Sequence, residues 1–192
     1  TRYHGPWRDI DEQLDKTNLL IKHTLTLDDG FFSAALMTYD NSWNSADQIP
    51  QRAVQQGIVD ELGSLDTDLG GNSSRYSVNA QWRQGRWQGS GYWLRYTLNL
   101  WSNFTYSLDN PLQGDQFEQV DKRDVYGGEL SYTLAAAGER GATDRFGLQL
   151  RVDDIAEVGL YNTAQRQRLA AVRSDAIEQA SVGAYWENRR DW

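Results

Sequence analysis

The sequence predicts an all-β protein: an antiparallel, up-and-down transmembrane β-barrel, present here as an open segment of about seven strands. Three observations predict it. Apolar side chains recur at every second position in run after run, short turns alternate with long loops along the chain, and aromatic rings gather toward strand ends. The 192 residues are 39% apolar and 24% charged, with 19 Lys and Arg against 27 Asp and Glu. That acidic balance excludes a nucleic-acid binder, which needs a basic face to displace counterions from phosphates. The absence of cysteine removes disulfides and thiolate metal sites, leaving His4 and His23 as the only imidazoles. No apolar run is long enough for a membrane-spanning helix.

The first two strands run from Asn18 to Leu27 and from Phe31 to Trp43, joined across Asp28-Asp29-Gly30. From Arg75 to Arg83 the alternation is clean, with Tyr76, Val78, Ala80 and Trp82 on one face. Gln84-Gly85-Arg86 reads as a tight turn. Beyond it, Tyr92, Leu94, Tyr96, Leu98 and Leu100 form one face of a run reaching Ser107, and Arg95, Thr97, Asn99, Trp101 and Asn103 the other. Tyr126, Leu130, Tyr132 and Leu134 mark the next strand. Phe146, Leu148, Leu150 and Val152 mark the one after, and Val182, Ala184 and Trp186 the last, over roughly 173–189. The connections are then 28–30, 44–72, 84–86, 108–123, 136–143 and 156–172, with short turns at one end of the strands and long loops at the other. Outer-membrane barrels show that asymmetry.

In such a barrel only alternate residues touch lipid, which reconciles membrane insertion with a mean hydropathy of −0.71. A soluble carbohydrate-binding β-sandwich also alternates, with exposed rings stacking on sugars. Strands as long as these favour the barrel, because about 9–11 tilted residues cross the hydrocarbon.

Several motifs in series carry a resemblance. YDNSWNSADQIPQRAVQQG (Tyr39 to Gly57), LGSLDTDLGGNSSRYSVN (Leu62 to Asn79), GDQFEQVDKRD (Gly114 to Asp124) and VRSDAIEQASVGAYWENR (Val172 to Arg189) resemble successive stretches of TonB-dependent outer-membrane receptors. HGPW (His4 to Trp7) and DKTN (Asp15 to Asn18) fit the same order, so the similarity covers nearly the whole chain. The resemblance implies a barrel of about 22 strands closed around an N-terminal plug. It implies uptake of a scarce ligand, such as a ferric siderophore or other metal chelate, on energy passed through TonB. The expected setting is the Gram-negative outer membrane, with lipid, plug and TonB as partners. Plug, TonB box and signal peptide are missing from 1–192, ENRRDW reads as a strand running into a turn, and seven strands cannot close a barrel. The chain is therefore expected to be an internal piece of the barrel domain.

Lumen-facing Arg95, Asn99, Trp101, Asn103, Glu129, Gln149, Arg151 and Asp153 are the candidates for holding the plug or lining the ligand route. A plainer role, lacing neighbouring strands across the wet face, is open for each. On the same reading Leu98 and Leu130 both face lipid. Pro50 and Gly57 bracket a short loop helix, a lid or simply a compact fold of the loop. Asp115, Glu118, Asp121 and Asp124 lack the glycine and ligand spacing of a calcium loop and read as a solvated loop. No catalytic residue, metal site or cofactor is expected: metalloprotease, nucleophile-elbow and phosphate-loop motifs are absent, and Asp153 and Asp154 point to opposite faces of a strand.

Overall fold

A computed structural model describes residues 1–5, 9–135 and 142–190; of Ala135 only the backbone is described. Within the expected turn at 136–143, residues 136–141 lie outside the described residues, as do Pro6, Trp7, Asp191 and Trp192 from the first and last motifs. The fold is one antiparallel sheet in which each strand pairs only with its neighbours in sequence. The strands are β1 (Arg2–Tyr3), β2 (Leu14–Leu27), β3 (Gly30–Asn44), β4 (Gly70–Gln84), β5 (Trp87–Ser102), β6 (Phe117–Ala135), β7 (Thr143–Ala164) and β8 (Gln167–Arg189). The sheet does not close: β1 and β8 lie at its two edges. The short strand β1, which pairs Arg2 with Asp15 and Tyr3 with Leu14, is the one the alternation did not show. The single helix among the described residues, α1 (Gln51–Gln55), has Pro50 at its N-cap, and Gly57, at φ 69°, follows its C-cap Gln56.

Of the expected loop at 108–123, residues 117–123 belong to β6, and two larger expectations are corrected. Residues 156–172 are not a long loop. They are the upper parts of β7 and β8, of 22 and 23 residues, joined by a two-residue turn at Gln165-Arg166. Both turn residues have positive φ, 51° and 62°, as a type I′ hairpin requires. That backbone normally calls for Asn or Gly, so nothing in Gln-Arg announces the turn. The fold supplies what the residue types lack. The Arg166 guanidinium donates to the carbonyls of Asp68 (2.7 Å) and Leu69 (2.9 Å) and to Asn44 Oδ1 (3.2 Å), and sits 5.0 Å from the centre of the Trp101 ring.

The second correction concerns faces. Partners in an antiparallel ladder share a face. Tyr76, Val78, Ala80 and Trp82 pair with Arg95, Trp93, Gly91 and Gly89, so the opposite face of β5 carries Tyr92, Leu94, Tyr96, Leu98 and Leu100. Following the register onward, Leu130 belongs with Gly89 and Trp82, and Leu98 with Ser73 and Asp121. Leu98 and Leu130 thus lie on opposite faces. β5 carries two alternations of opposite phase, one in each half, where the sequence reads as one.

The compact core sits at one end. Ile10, Ala53, Val59 and Leu69, the last with no exposed surface, are buried where the N-terminal segment and the 45–69 loop fold together. Gln116, from the loop between β5 and β6, is also buried there. Its Oε1 accepts from Thr163 Oγ1 (2.9 Å) and from the Arg166 amide (2.8 Å). Arg166 is the residue common to the 45–69 loop, β5 and the β7–β8 turn. Arg166→Ala should speed hydrogen exchange of the amides of Ser45 and of 163–167 by about tenfold or more. Amides of the lower halves of β4 to β6 should be unchanged, as exchange mass spectrometry would read.

Candidate functional site

The register sorts the side chains into two faces of different chemistry. Toward the turn end, one face is almost wholly apolar. It carries Leu19, Ile21, Leu25 and Leu27 of β2, Phe32, Ala34 and Leu36 of β3, and Val78, Ala80 and Trp82 of β4. It continues through Trp87 and Trp93 of β5, Leu130 and Tyr132 of β6, Phe146, Leu148 and Leu150 of β7, and Val182 and Trp186 of β8. Much of this surface lies open: Leu148 is 59% exposed, Val182 78% and Trp186 65%. Soluble monomers leave apolar patches of only a few hundred Å² uncovered.

The band has ordered edges. Phe32, Trp82, Trp87, Tyr132, Phe146 and Trp186 form a continuous stair of rings at the turn end, with Trp87 and Tyr132 4.7 Å apart. Tyr76, Trp93 and Tyr126 step across the other edge. At both edges the polar atoms of rings point away from the band. Trp93 Nε1 donates upward to Asp124 (2.9 Å), Tyr76 Oη donates upward to Asp40, and Trp186 Nε1 donates downward to Asp144 (2.9 Å). Between the edges, among the described residues, His23 is the only side chain of the Asp, Glu, Lys, Arg and His types on this face.

Above the band the same face becomes polar and acidic. Asp15, Asp40, Glu118, Asp124, Asp154, Glu157 and Glu178 outnumber Arg95, Lys122 and Arg168 there. Arg95 holds Asp124 (3.0 Å), Lys122 holds Glu157 (2.7 Å), and Arg168 reaches both Glu118 and Glu157.

The opposite face is polar at the level of the band, with Thr24, Ser33, Asn79, Gln81, Ser90, Glu129, Gln149 and Ser181. Over its whole height it carries the basic half of the sheet's charge. Lys16, Lys22, Arg75, Arg83, Arg123, Arg145, Arg151, Arg173 and Arg189 stand against Asp121, Glu129, Asp153, Asp175 and Glu187. Asp121 is taken by Arg123, Glu129 by Arg145 (3.1 Å), Asp153 by Arg151 (2.7 Å) and Asp175 by Arg173.

The eight candidates from the sequence therefore do not form one site. Arg95, Asn99 and Trp101 lie on the band face above the band, where Asn99 donates to Glu118 (2.7 Å) and Trp101 lies under Arg166. The Trp101 indole nitrogen is buried without a partner. Asn103 is buried in the 103–116 loop, its amide donating to Asp47 (2.8 Å) and its side chain to Asp66 (2.9 Å). Glu129, Gln149, Arg151 and Asp153 share the polar face. Gln149 donates to Glu129 (3.3 Å), which also accepts from Tyr185, and Tyr92, Glu129, Gln149 and Arg151 line a hollow of about 420 Å³. The Tyr185 and Tyr92 rings lie over Gly147 and Gly127 of the neighbouring strands, where any Cβ would meet them.

The acidic series also divides. Glu118, Asp121 and Asp124 belong to β6, each holding an arginine, and only Asp115 is a loop residue. No cluster of three metal-ligating side chains exists among the described residues. Sequence reasoning missed the polar-face row Tyr39, Arg75 and Tyr96, because Tyr96 read as facing outward.

The comparisons add no relative. The chain matches no protein-family model, no curated protein and no solved structure.

In the 103–116 loop, burial pushes the Asp115 carboxyl upward. The backbone amides of Asp109, Asn110 and Leu108 outweigh burial and hold it below the usual carboxylate range. A lowered folded-state value means that this stabilisation is complete above about pH 4 and is lost as pH falls through the folded value. Asp115→Asn should therefore speed exchange of the 108–110 amides at neutral pH. In the unsubstituted chain the same amides should loosen only below about pH 4, once exchange rates are corrected for pH.

Proposed function

We propose that the chain is part of the wall of an outer-membrane β-barrel transporter of the TonB-dependent kind, taking up a scarce ligand such as a ferric siderophore. The observation that carries the membrane setting is the band. It is one apolar surface at constant register from β2 to β8, edged by rings whose polar atoms turn away from it. Amphipathic rings take that orientation at a membrane–water boundary, with the apolar body in hydrocarbon and the N–H or O–H in the headgroups. Leu19 to Leu27 and Tyr126 to Leu134 are each nine residues, at the lower end of the roughly 9–11 that a tilted strand needs to cross.

A β-sandwich would bury this surface under a second sheet. The described residues form one sheet, and nothing in it packs against the band. The transport step and the class of ligand rest on the ordered motifs. In that setting the polar face is the lumen, and the plug and TonB belong to the assembled receptor.

The face assignment makes the membrane reading testable with two substitutions on the band face and one on the other. Leu130→Arg and Leu148→Arg should each weaken folding into lipid vesicles by about 2–4 kcal/mol, as expected for a cation near the bilayer midplane. Leu98→Arg, on the other face, should cost a small fraction of that. Urea titrations followed by tryptophan fluorescence would measure all three. Equal losses at Leu98 and Leu130 would sink the lipid assignment of the band. Uptake of ferric chelates by cells that depend on the intact receptor tests the transport step separately.

A further inference from the structure

Among the described residues the polar face leaves an arginine without a carboxylate beside aromatic surface at two places: Arg83, 5.5 Å from the centre of the Phe31 ring near the turn end, and Arg75, which alone stands between two tyrosines. Arg75 pairs across the ladder with Tyr39 of β3 on one side and Tyr96 of β5 on the other, so the three side chains stand in one row. Asn18 of β2 extends the row beyond Tyr39. Leu20, Met37, Ser73 and Ser77 complete the walls of a hollow of about 490 Å³ around it. Lys16 stands at its margin, 5.3 Å from the centre of the Tyr39 ring.

The ion pairing of this face does not reach the row, as it does not reach Lys22 and Arg83 nearer the turns. Four of the carboxylates of the polar face already hold Arg123, Arg145, Arg151 and Arg173. Among the described residues no carboxylate pairs with Arg75 or Lys16, and no group of the protein hydrogen-bonds the hydroxyls of Tyr39 and Tyr96. Arg75 is exposed while the two tyrosines are half-buried, so the guanidinium reaches out between two ring edges. Two cations, two free phenol donors and a floor of leucine and methionine recognise one kind of molecule: an anion carrying a flat apolar body. A cation would meet Arg75 and Lys16 unscreened, and a neutral apolar molecule would leave the guanidinium without its counter-charge.

We infer that the Tyr39–Arg75–Tyr96 row is a binding site for an anionic, ring-bearing ligand, with Arg75 as the carboxylate- or phenolate-binding residue. This rests on the polar face being the lumen of a transporter, which makes the bound anion a ligand in transit. In that setting the site lies level with the upper ring row, because Arg75 is adjacent to Tyr76.

Titration of the full chain in detergent micelles with 2-naphthoate, followed by the anisotropy of the probe, tests the site. Saturable binding is expected, weakened about tenfold or more by Arg75→Gln and largely kept by Arg75→Lys. Lys122→Gln removes the same unit charge from the opposite face and should leave binding unchanged, and circular dichroism checks that each variant keeps its sheet. Cyclohexanecarboxylate should compete more weakly than benzoate, and 2-naphthylmethylammonium should not compete. Equal weakening by Arg75→Gln and Lys122→Gln would overturn the site in favour of general charge attraction, as would equal binding of the ammonium probe. The readout needs no transport. Naphthoate binding together with tolerated arginines in the band would reject the membrane reading and keep the site, whereas the reverse pair would reject only the site.

Discussion

The antiparallel backbone ladder governs everything else in this molecule. From Leu14 to Arg189 each strand is paired with the next, and with a side-chain period of two, that pairing decides the face of every residue. A slip of one residue between β4 and β5 would put Trp82 opposite the polar side of β5 and break the band. The ladder also tolerates controlled exceptions. At the irregularity beside Lys122 and Arg123, even-numbered residues of β7 up to Asp154 share a face with odd-numbered residues from Glu157 onward. That change of parity lets Glu157 meet both Lys122 and Arg168, and brings Tyr161 under the Arg168 guanidinium, 3.7 Å from the ring centre.

The two ends of the sheet are stabilised by different means. At the loop end there is an ordinary if small core of Ile10, Val59 and Leu69, with the buried polar groups of Asn103, Gln116 and Thr163 all satisfied. At the turn end there is no second layer. Stability within the sheet comes from the ladder, from rings lying over cross-strand glycines, as Trp82 does over Gly89, and from the Glu129–Arg145–Tyr185 cluster. None of these covers the apolar band, so the surrounding medium is part of the structure. In water, roughly 25 cal/mol for each Å² of that surface would favour aggregation over the displayed sheet.

This division also explains what could be read from the sequence. The lower alternations, such as Tyr126 to Leu134 and Phe146 to Val152, were legible because one face is uniformly apolar and the other polar. β5 was misread because Leu94, Tyr96, Leu98 and Leu100 are as apolar as a lipid-facing set, yet lie over Ser77, Ser73 and Gly71 on the other face. Only the register with β4 separates the two phases, and register is not written in one strand. The β7–β8 hairpin was invisible for a related reason. Gln165 and Arg166 hold positive φ through contacts that Arg166 makes to Asp68 and Leu69, nearly a hundred residues away in sequence. Of the candidate residues, Glu129, Gln149, Arg151 and Asp153 were placed on the polar face by their own alternation. Arg95, Asn99 and Trp101 inherited the misread phase.

The partition of charge by face changes the meaning of the chain's acidity. A net charge of −8 suggests a protein that repels anions. The excess acid, however, sits in the loops and above the band on the band face, whereas the polar face carries more Lys and Arg than Asp and Glu. The two fields are separated by the thickness of a sheet, and at physiological ionic strength a Debye length of about 8 Å screens one from the other. A molecule moving along the polar face therefore meets the local cations. Four of those are neutralised by a carboxylate two residues away or on the next strand, as Arg151 is by Asp153 and Arg145 by Glu129. Lys16, Lys22, Arg75 and Arg83 lack such a partner among the described residues, and of these Arg75 alone stands between two tyrosines, which is what sets the row from Tyr39 to Tyr96 apart as the proposed anion site.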